Sequence, residues 1–351
     1  MENKIKMHLT CPMPKFDFDT INLGHGSGGI LTHKLLNSGV FDILKNDLLN
    51  QKHDGAVFEL DGKLAFSTDS YVVNPLFFPG GNIGELAING TVNDLAMCGA
   101  MAKYLSLSFI IEEGLPMVTF WQILNSIKQC CIKANVQIVT GDTKVVEKGK
   151  GDKIFINTSG IGVLHKHANI NLSSIQDNDI IILSGNIAEH GIAIMSQRVG
   201  LEFETDIISD TTNLNFTIQK LLEKYGEDIH FLRDATRGGL ASVLNEIAKD
   251  GNFGVDIKQI DIPVNEQVNG ACEMLGLDPL YVANEGVFVM VVKREIASNV
   301  LEFLNQDENG KNAKLIGFIN NEHVGQVILQ SNIGGRRLVN MLPGEQLPRI
   351  C

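Results

Sequence analysis

The sequence has no CxxC pair, no P-loop, no apolar run longer than a strand and a deficit of positive charge. Each absence excludes something. Six cysteines without paired spacing, and no export signal in MENKIKMHLTCPMPKFDFD, predict a reduced, cytoplasmic setting rather than a disulfide framework. The longest apolar runs, DIIILSG and VFVMVV, are far short of a membrane span. Lys and Arg total 29 against 41 Asp and Glu, a net charge of −12. Nucleic-acid binding needs clustered basic residues, so that class is excluded. Without GxxxxGK[ST], a P-loop enzyme is excluded too. His165 and His167 in HKH are the closest pair of histidines, and a solvated loop suits them better than a zinc site.

What is present is a chain of 351 residues, long enough for two domains. Residues 1–20 read as an N-terminal arm, 21–168 as a first domain, 169–330 as a second and 331–351 as a flexible tail. Phe120, Ile123, Leu124, Ile127 and Cys131 follow helical spacing, which makes Cys131 a buried core thiol. Leu240, Val243, Leu244, Ile247 and Ala248 form a second apolar helix face. GAVFEL and KLAFST flank Asp61-Gly62 and predict a tight hairpin. YLSLSFII, VQIVT, KIFINTSGIGVL, DIIILSG and VFVMVV read as strands. Strands and helices interleave without a strict βαβ rhythm, so the expected class is α+β or mixed-sheet α/β. Gly334-Gly335, Pro343 and Pro348 oppose a continuing helix near the end.

Five aspartates share a setting beside small or polar residues: Asp54, Asp69, Asp94, Asp142 and Asp234. Asp69 follows LAFST and Asp142 follows VQIVTG, so both are expected at strand ends, where open sheets bind ligands. Hard oxygen ligands gathered there suit Mg2+ bridging substrate phosphates. GHGSGG (24–29) satisfies GxGxxG, but the preceding KFDFDTINL is too polar for the strand of a dinucleotide fold. It reads instead as a glycine loop whose N–H groups fold over phosphates. TRGGLASVL offers a second anion site at a helix N-terminus.

The stretches GHGSGG, STDSYVVNPLFFPGGNIGELAINGTVNDLAMCGA, EEGLPM, VTGDTKVVEKG, LRDATRGGL, VANEG and the final PRIC strongly resemble the HypE family of hydrogenase maturation proteins. That family lies in the ATP-binding superfamily of aminoimidazole ribonucleotide synthetase and selenophosphate synthetase. The likeness runs from about residue 22 to 351. It implies a two-domain fold like that synthetase, with an N-terminal dimerising domain, a C-terminal mixed-sheet domain and a mobile tail. It implies ATP and Mg2+ as cofactors and a homodimer. It further implies that a carbamoyltransferase, HypF, loads a carbamoyl group on Cys351. ATP-dependent dehydration then gives a thiocyanate. The cyano group passes to iron on the HypC–HypD scaffold, for [NiFe]-hydrogenase.

The resemblance and this chemistry assign roles. Asp54, Asp69, Asp94 and Asp142 would hold Mg2+. Gly26, Ser27, Gly28 and Gly29 would cover the phosphates, with Asp69, Asn93, Asp94, Asp142, Thr143, Asp234 and Asn284 also at the ATP. Lys144 would stabilise charge on the transferring phosphoryl group or the carbamoyl oxygen. Removing the nitrogen's proton needs a base, for which Glu285 is the candidate, with His25 behind it. Cys351 would carry the substrate. Two departures stand out. His53 precedes Asp54 where sister families often carry a second Asp, so His53 is not taken as a ligand. AEHG (188–191) lacks the Asp expected before its His, so His190 stays outside the predicted site. Alternative readings are a small-molecule synthetase or kinase of the same superfamily, and a non-catalytic thiol carrier.

Overall fold

The computed structural model describes residues 13–200, 207–342, 344 and 350–351. Cys11, Pro343 and Pro348 lie outside them.

The first sheet has four strands: β1 (Leu64–Tyr71), β2 (Ala100–Glu112), β3 (Gln137–Val146) and β4 (Ile154–Leu164), in the order β1-β4-β2-β3. β2 and β3 run parallel and the other neighbours antiparallel. Two helices cover one face, α1 (Ile83–Met97) and α2 (Met117–Ala134). Asn82 caps α1 by accepting from the N–H groups of Gly84 and Glu85, which satisfies donors that the first turn leaves open. On α2, the predicted apolar face of Phe120, Ile123, Leu124, Ile127 and Cys131 is buried. The Asp61-Gly62 hairpin does not form. KLAFST instead pairs with the distant β4, and residues 52–60 make no strand. Burial of β1 against a long partner outweighs the local turn signal.

The second sheet has seven strands: β5 (Ile180–Leu183), β6 (Ile229–Asp234), β7 (Gly254–Lys258), β8 (Phe288–Val292), β9 (Lys314–Asn320), β10 (Val327–Gln330) and β11 (Arg336–Leu338), in the order β11-β10-β7-β9-β5-β8-β6. Only β7 and β10 are parallel. The expected mixed α/β plan therefore describes both halves. Helix α3 (Glu189–Val199) follows β5, and helix α4 (Gly239–Asp250) follows β6 and packs on β7 and β10. All five residues of the predicted α4 face are buried. Ala96 and Met97 of α1 join the core on one face of the second sheet, so the halves share apolar packing.

The expected tail begins later than residue 331. Arg336–Leu338 pairs with β10 as an edge strand, and Val339 is buried with its N–H donating to Val327 O. The sequence's end is also held. Ile350 joins the N-terminal core at 3% exposure, and Cys351 is 9% exposed.

Candidate active site

The predicted residues fall into two places. The first is a cleft of about 210 Å3 beside β3. Leu36, Val40, Phe41, Leu44, Phe109 and Ile138 make its apolar floor, and Gly26, Gly28, Asp142, Thr143 and Lys144 line its mouth. The predicted glycine loop lies against β3. A methyl group on Gly26 would sit 2.5 Å from the N atom of Val145, so only glycine permits that approach. The loop is braced by Thr32, whose hydroxyl donates to Gly24 O and accepts from Gly28 N–H. Ser27 Oγ donates to the same carbonyl.

His25 belongs to this brace. It is buried, its Nδ1 accepts from Asn22 N–H at 3.0 Å and its ring meets Phe18 edge-on. Burial pushes the imidazole down from its usual range. A ring nitrogen engaged in capping a turn is not poised behind Glu285. Lys144 and Asp142 are exposed and paired, Nζ to Oδ1 at 2.8 Å. The hydrogen bond from Lys144 holds the Asp142 carboxyl below its usual range.

The second place is a cluster of acidic side chains where the halves meet, called the chamber below. Asp69, half-buried on β1, has Arg237 Nη2 3.5 Å from its Oδ1. Asp94, on α1, accepts from Ser67 Oγ at 2.7 Å. Burial raises Asp94, and the neighbouring Asp69 carboxylate adds to this. Asp234 ends β6, where burial and Asp94 push it up to about 7. Glu285 is buried in the loop before β8 and is driven well above its usual range, first by burial, then by Asp210, Asp234, Asp69 and Asp94. Asp69, Asp94 and Asp234 are each among the charges that raise another of these carboxyls, as expected for acidic groups close enough to repel.

Cys351 lies there too. Its backbone oxygen accepts from Val72 N–H at 3.0 Å, just past β1. Burial, then Glu285, push the thiol up to about 12, while Arg237 pulls the other way. A docked Cys351 is a neutral thiol.

The loop that presents Glu285 is fixed by backbone bonds. Asp210 accepts from the N–H groups of Glu285 and Gly286, at 3.0 and 2.8 Å. A methyl group on Gly286 would meet Asp210 O at 2.0 Å, so the position admits only glycine. Asn93 donates to Thr212 O and Glu285 O and accepts from Leu214 N–H. Asn284 donates to Ala235 O and accepts from Ala188 N–H. Both amides were expected at ATP. The structure buries them and commits them to the frame.

The metal set needs correction. Asp69 and Asp142 were expected at strand ends, but both lie within strands, and Asp94 is helical. β1 and β3 are opposite edges of the first sheet, three strand spacings or about 14 Å apart. One ion cannot bridge them within one chain. Asp54 is exposed at a bend. Among the described residues, no three His, Cys, Asp or Glu side chains form a metal cage. Asp69 and Asp94 do share an edge. Two carboxylates plus phosphate oxygens is the usual holding of Mg2+, and their mutual repulsion is what a cation would relieve.

Two residues of the chamber escaped the sequence reading. Arg237 was quoted only within an anion-binding motif. His190 was set aside for its missing Asp neighbour, yet it is fully buried, with Nε2 4.0 Å from Glu285 Oε1. Its signal was the glycine after it, at a helix start.

Comparison with known proteins gives the family. Residues 52–164 match the AIR synthase related protein N-terminal domain, and 176–330 the corresponding C-terminal domain. Carbamoyl dehydratase HypE of Rhizobium leguminosarum bv. viciae is 46% identical over 332 residues, covering 94% of this chain and 95% of that one. The crystal structure of hydrogenase maturation protein HypE in complex with ATP superposes with a TM-score of 0.90 at 44% identity, covering 94% of this chain and 99% of that one. A HypE–HypF complex contains a chain with a TM-score of 0.78 and 44% identity, covering 90% and 100%. The chain belongs to the HypE family of carbamoyl dehydratases.

Proposed function

We propose that this protein dehydrates a carbamoyl group carried as an S-carboxamide on Cys351, giving a thiocyanate that supplies the cyanide ligand for iron of [NiFe]-hydrogenase. The observation that carries this reading is the docked end of the chain: Cys351 is buried, its backbone oxygen is held by Val72 N–H beside β1, and the preceding carbonyl is held by His190, 4.0 Å from Glu285. Its close relatives are carbamoyl dehydratases by name, and one relative is solved with ATP.

ATP supplies the phosphoryl group that makes the carbamoyl oxygen a leaving group. Asp69 and Asp94 would hold Mg2+, which neutralises phosphate charge. Gly26, Ser27, Gly28 and Gly29 with Thr143 would line the phosphate path, and Asp234 would face it from the second half. Lys144 offers a cation to developing charge on oxygen. The remaining steps belong to the protein. The carboxamide nitrogen must lose two protons as the C–O bond breaks and the C≡N bond completes. Glu285 is the base that takes the first, and the departing phosphate carries the second. The raised pKa of Glu285 makes it a strong acceptor once ionised, and burial keeps water from competing.

The neutral thiol of the docked state is a poor nucleophile. Loading therefore occurs with Cys351 undocked, on HypF; a relative of this chain is solved in complex with HypF. Delivery to HypC–HypD needs a second departure. A homodimer would let edges β1 and β3 of different chains approach, which one chain alone does not achieve. Among the described residues no helix is long and apolar enough to cross a membrane.

The test is the mass of the peptide ending in Cys351. Incubation with HypF, ATP and carbamoyl phosphate should add a carbamoyl group to it. ATP on this protein should then remove one water. An adduct that persists with ATP would make the protein a thiol carrier. No adduct, with ATP consumed on a small molecule, would make it a kinase or synthetase.

A further inference from the structure

The dehydration chemistry leaves His190 without a task, although the fold spends much on it. The side chain is 0% exposed. Its Nε2 lies 3.0 Å from Ile350 O and its Nδ1 2.8 Å from Ser209 Oγ. A carbonyl only accepts, so Nε2 carries the proton. Nδ1 is then the acceptor of the Ser209 hydroxyl. Ser209 Oγ itself accepts from Thr211 N–H, which leaves its proton free for the imidazole. The tautomer is therefore set by the ring's surroundings. Burial pushes His190 down to about 4, so it stays neutral. Phe78 stands edge-on to the ring at 5.5 Å and fixes its plane.

We propose that His190 is a positioning residue: its Nε2–H pins the Ile350 carbonyl and so sets the reach of the Cys351 sulfur toward Glu285. This rests on the function proposed above. Three attachments act in series along two residues. Ile350 buries its side chain in the N-terminal core, His190 takes its carbonyl, and Val72 N–H takes the backbone oxygen of Cys351. Consecutive backbone oxygens held from both halves fix the backbone of the last residue, and with it the positions its side chain can reach. Glu285 Oε1 lies 4.0 Å from the same imidazole. The clamp must also release, because loading happens elsewhere. One neutral hydrogen bond suits that, since it contributes only about 1 kcal/mol net.

The experiment compares His190→Leu, which removes the donor, with His190→Gln, whose amide can still donate. Iodoacetamide labelling of Cys351 in the unloaded protein, followed by the C-terminal peptide mass, reads how often the end is undocked. The Leu variant should label about tenfold faster and dehydrate about tenfold slower per loaded cysteine, the effect of about 1.4 kcal/mol. Loading by HypF should be no slower, because it too uses the undocked end, and ATP binding should not change. The Gln variant should recover most of both. Parent-like protection in the Leu variant overturns the proposal. So does a folded Gln variant as defective as Leu, because that marks a packing role. If the Leu variant fails to fold, Ser209→Ala takes its place, with labelling about threefold faster expected and no change overturning the clamp. Labelling needs no carbamoyl chemistry. A parent protein that never forms thiocyanate would sink the proposed function while the clamp was still judged by its own readout.

Discussion

The cleft beside β3 and the chamber around Cys351 carry similar residue types and treat them oppositely. In the cleft, Asp142 is exposed, paired with Lys144 and held below its usual pKa. In the chamber, Asp94, Asp234 and Glu285 are crowded, screened from water and pushed upward. Water access makes the difference. Exposed ionised groups bind and screen charge, while buried carboxyls near their titration point exchange protons. The cleft therefore suits ligand capture and the chamber suits proton transfer.

Breaking the chamber should have the largest effect. Glu285→Gln should keep the fold, ATP binding and carbamoyl loading, and should slow dehydration by about 10²–10⁴-fold. Rapid-quench peptide mass measurement gives the rate. A native rate would remove Glu285 as base and make the chamber only a dock.

Breaking the cleft should come second. Gly26→Ala would force a methyl group against Val145 of β3. Overpacking of this kind costs about 1–3 kcal/mol, and the displaced loop should weaken ATP binding by about tenfold or more. Calorimetric titration checks this. Dehydration at saturating ATP should fall much less, because the chamber is untouched.

The third prediction sharpens the electrostatic contrast. Burial pushes Asp210 up to about 6 from a usual 3.8. The folded form thus holds a proton that the unfolded chain releases above about pH 4. The stabilisation is complete below that pH and is lost as pH rises through about 6, an effect of about 2–3 kcal/mol. Asp210→Asn should therefore flatten the fall in stability between pH 4 and 7 relative to the parent. Denaturant midpoints at each pH measure it, and parallel curves would show that Asp210 is ionised when folded.

How much of this was legible in the sequence follows from the range of the interactions. The helix faces at Phe120–Cys131 and Leu240–Ala248 were readable because their signal lies within a few turns. The cleft's glycine loop was readable for a similar reason. The false hairpin at Asp61-Gly62 was a local signal overridden by pairing with β4. Asp142 was misplaced to a strand end because edge strand β3 turns polar residues to solvent, which mimics a loop. His190 was missed because its partners, Ser209, Glu285 and Ile350, come from three separate stretches. Nor could spacing reveal that Val72 and Cys351 meet.

The paired edge strand near the end of the chain has a further consequence. Backbone pairing anchors the chain at Val339, and docking anchors it again at Ile350. The two anchors are separate: undocking breaks bonds at residues 350 and 351 and leaves the pairing at Val339 in place. The specificity of docking therefore rests on the last two residues, each of whose backbone oxygens has its own donor.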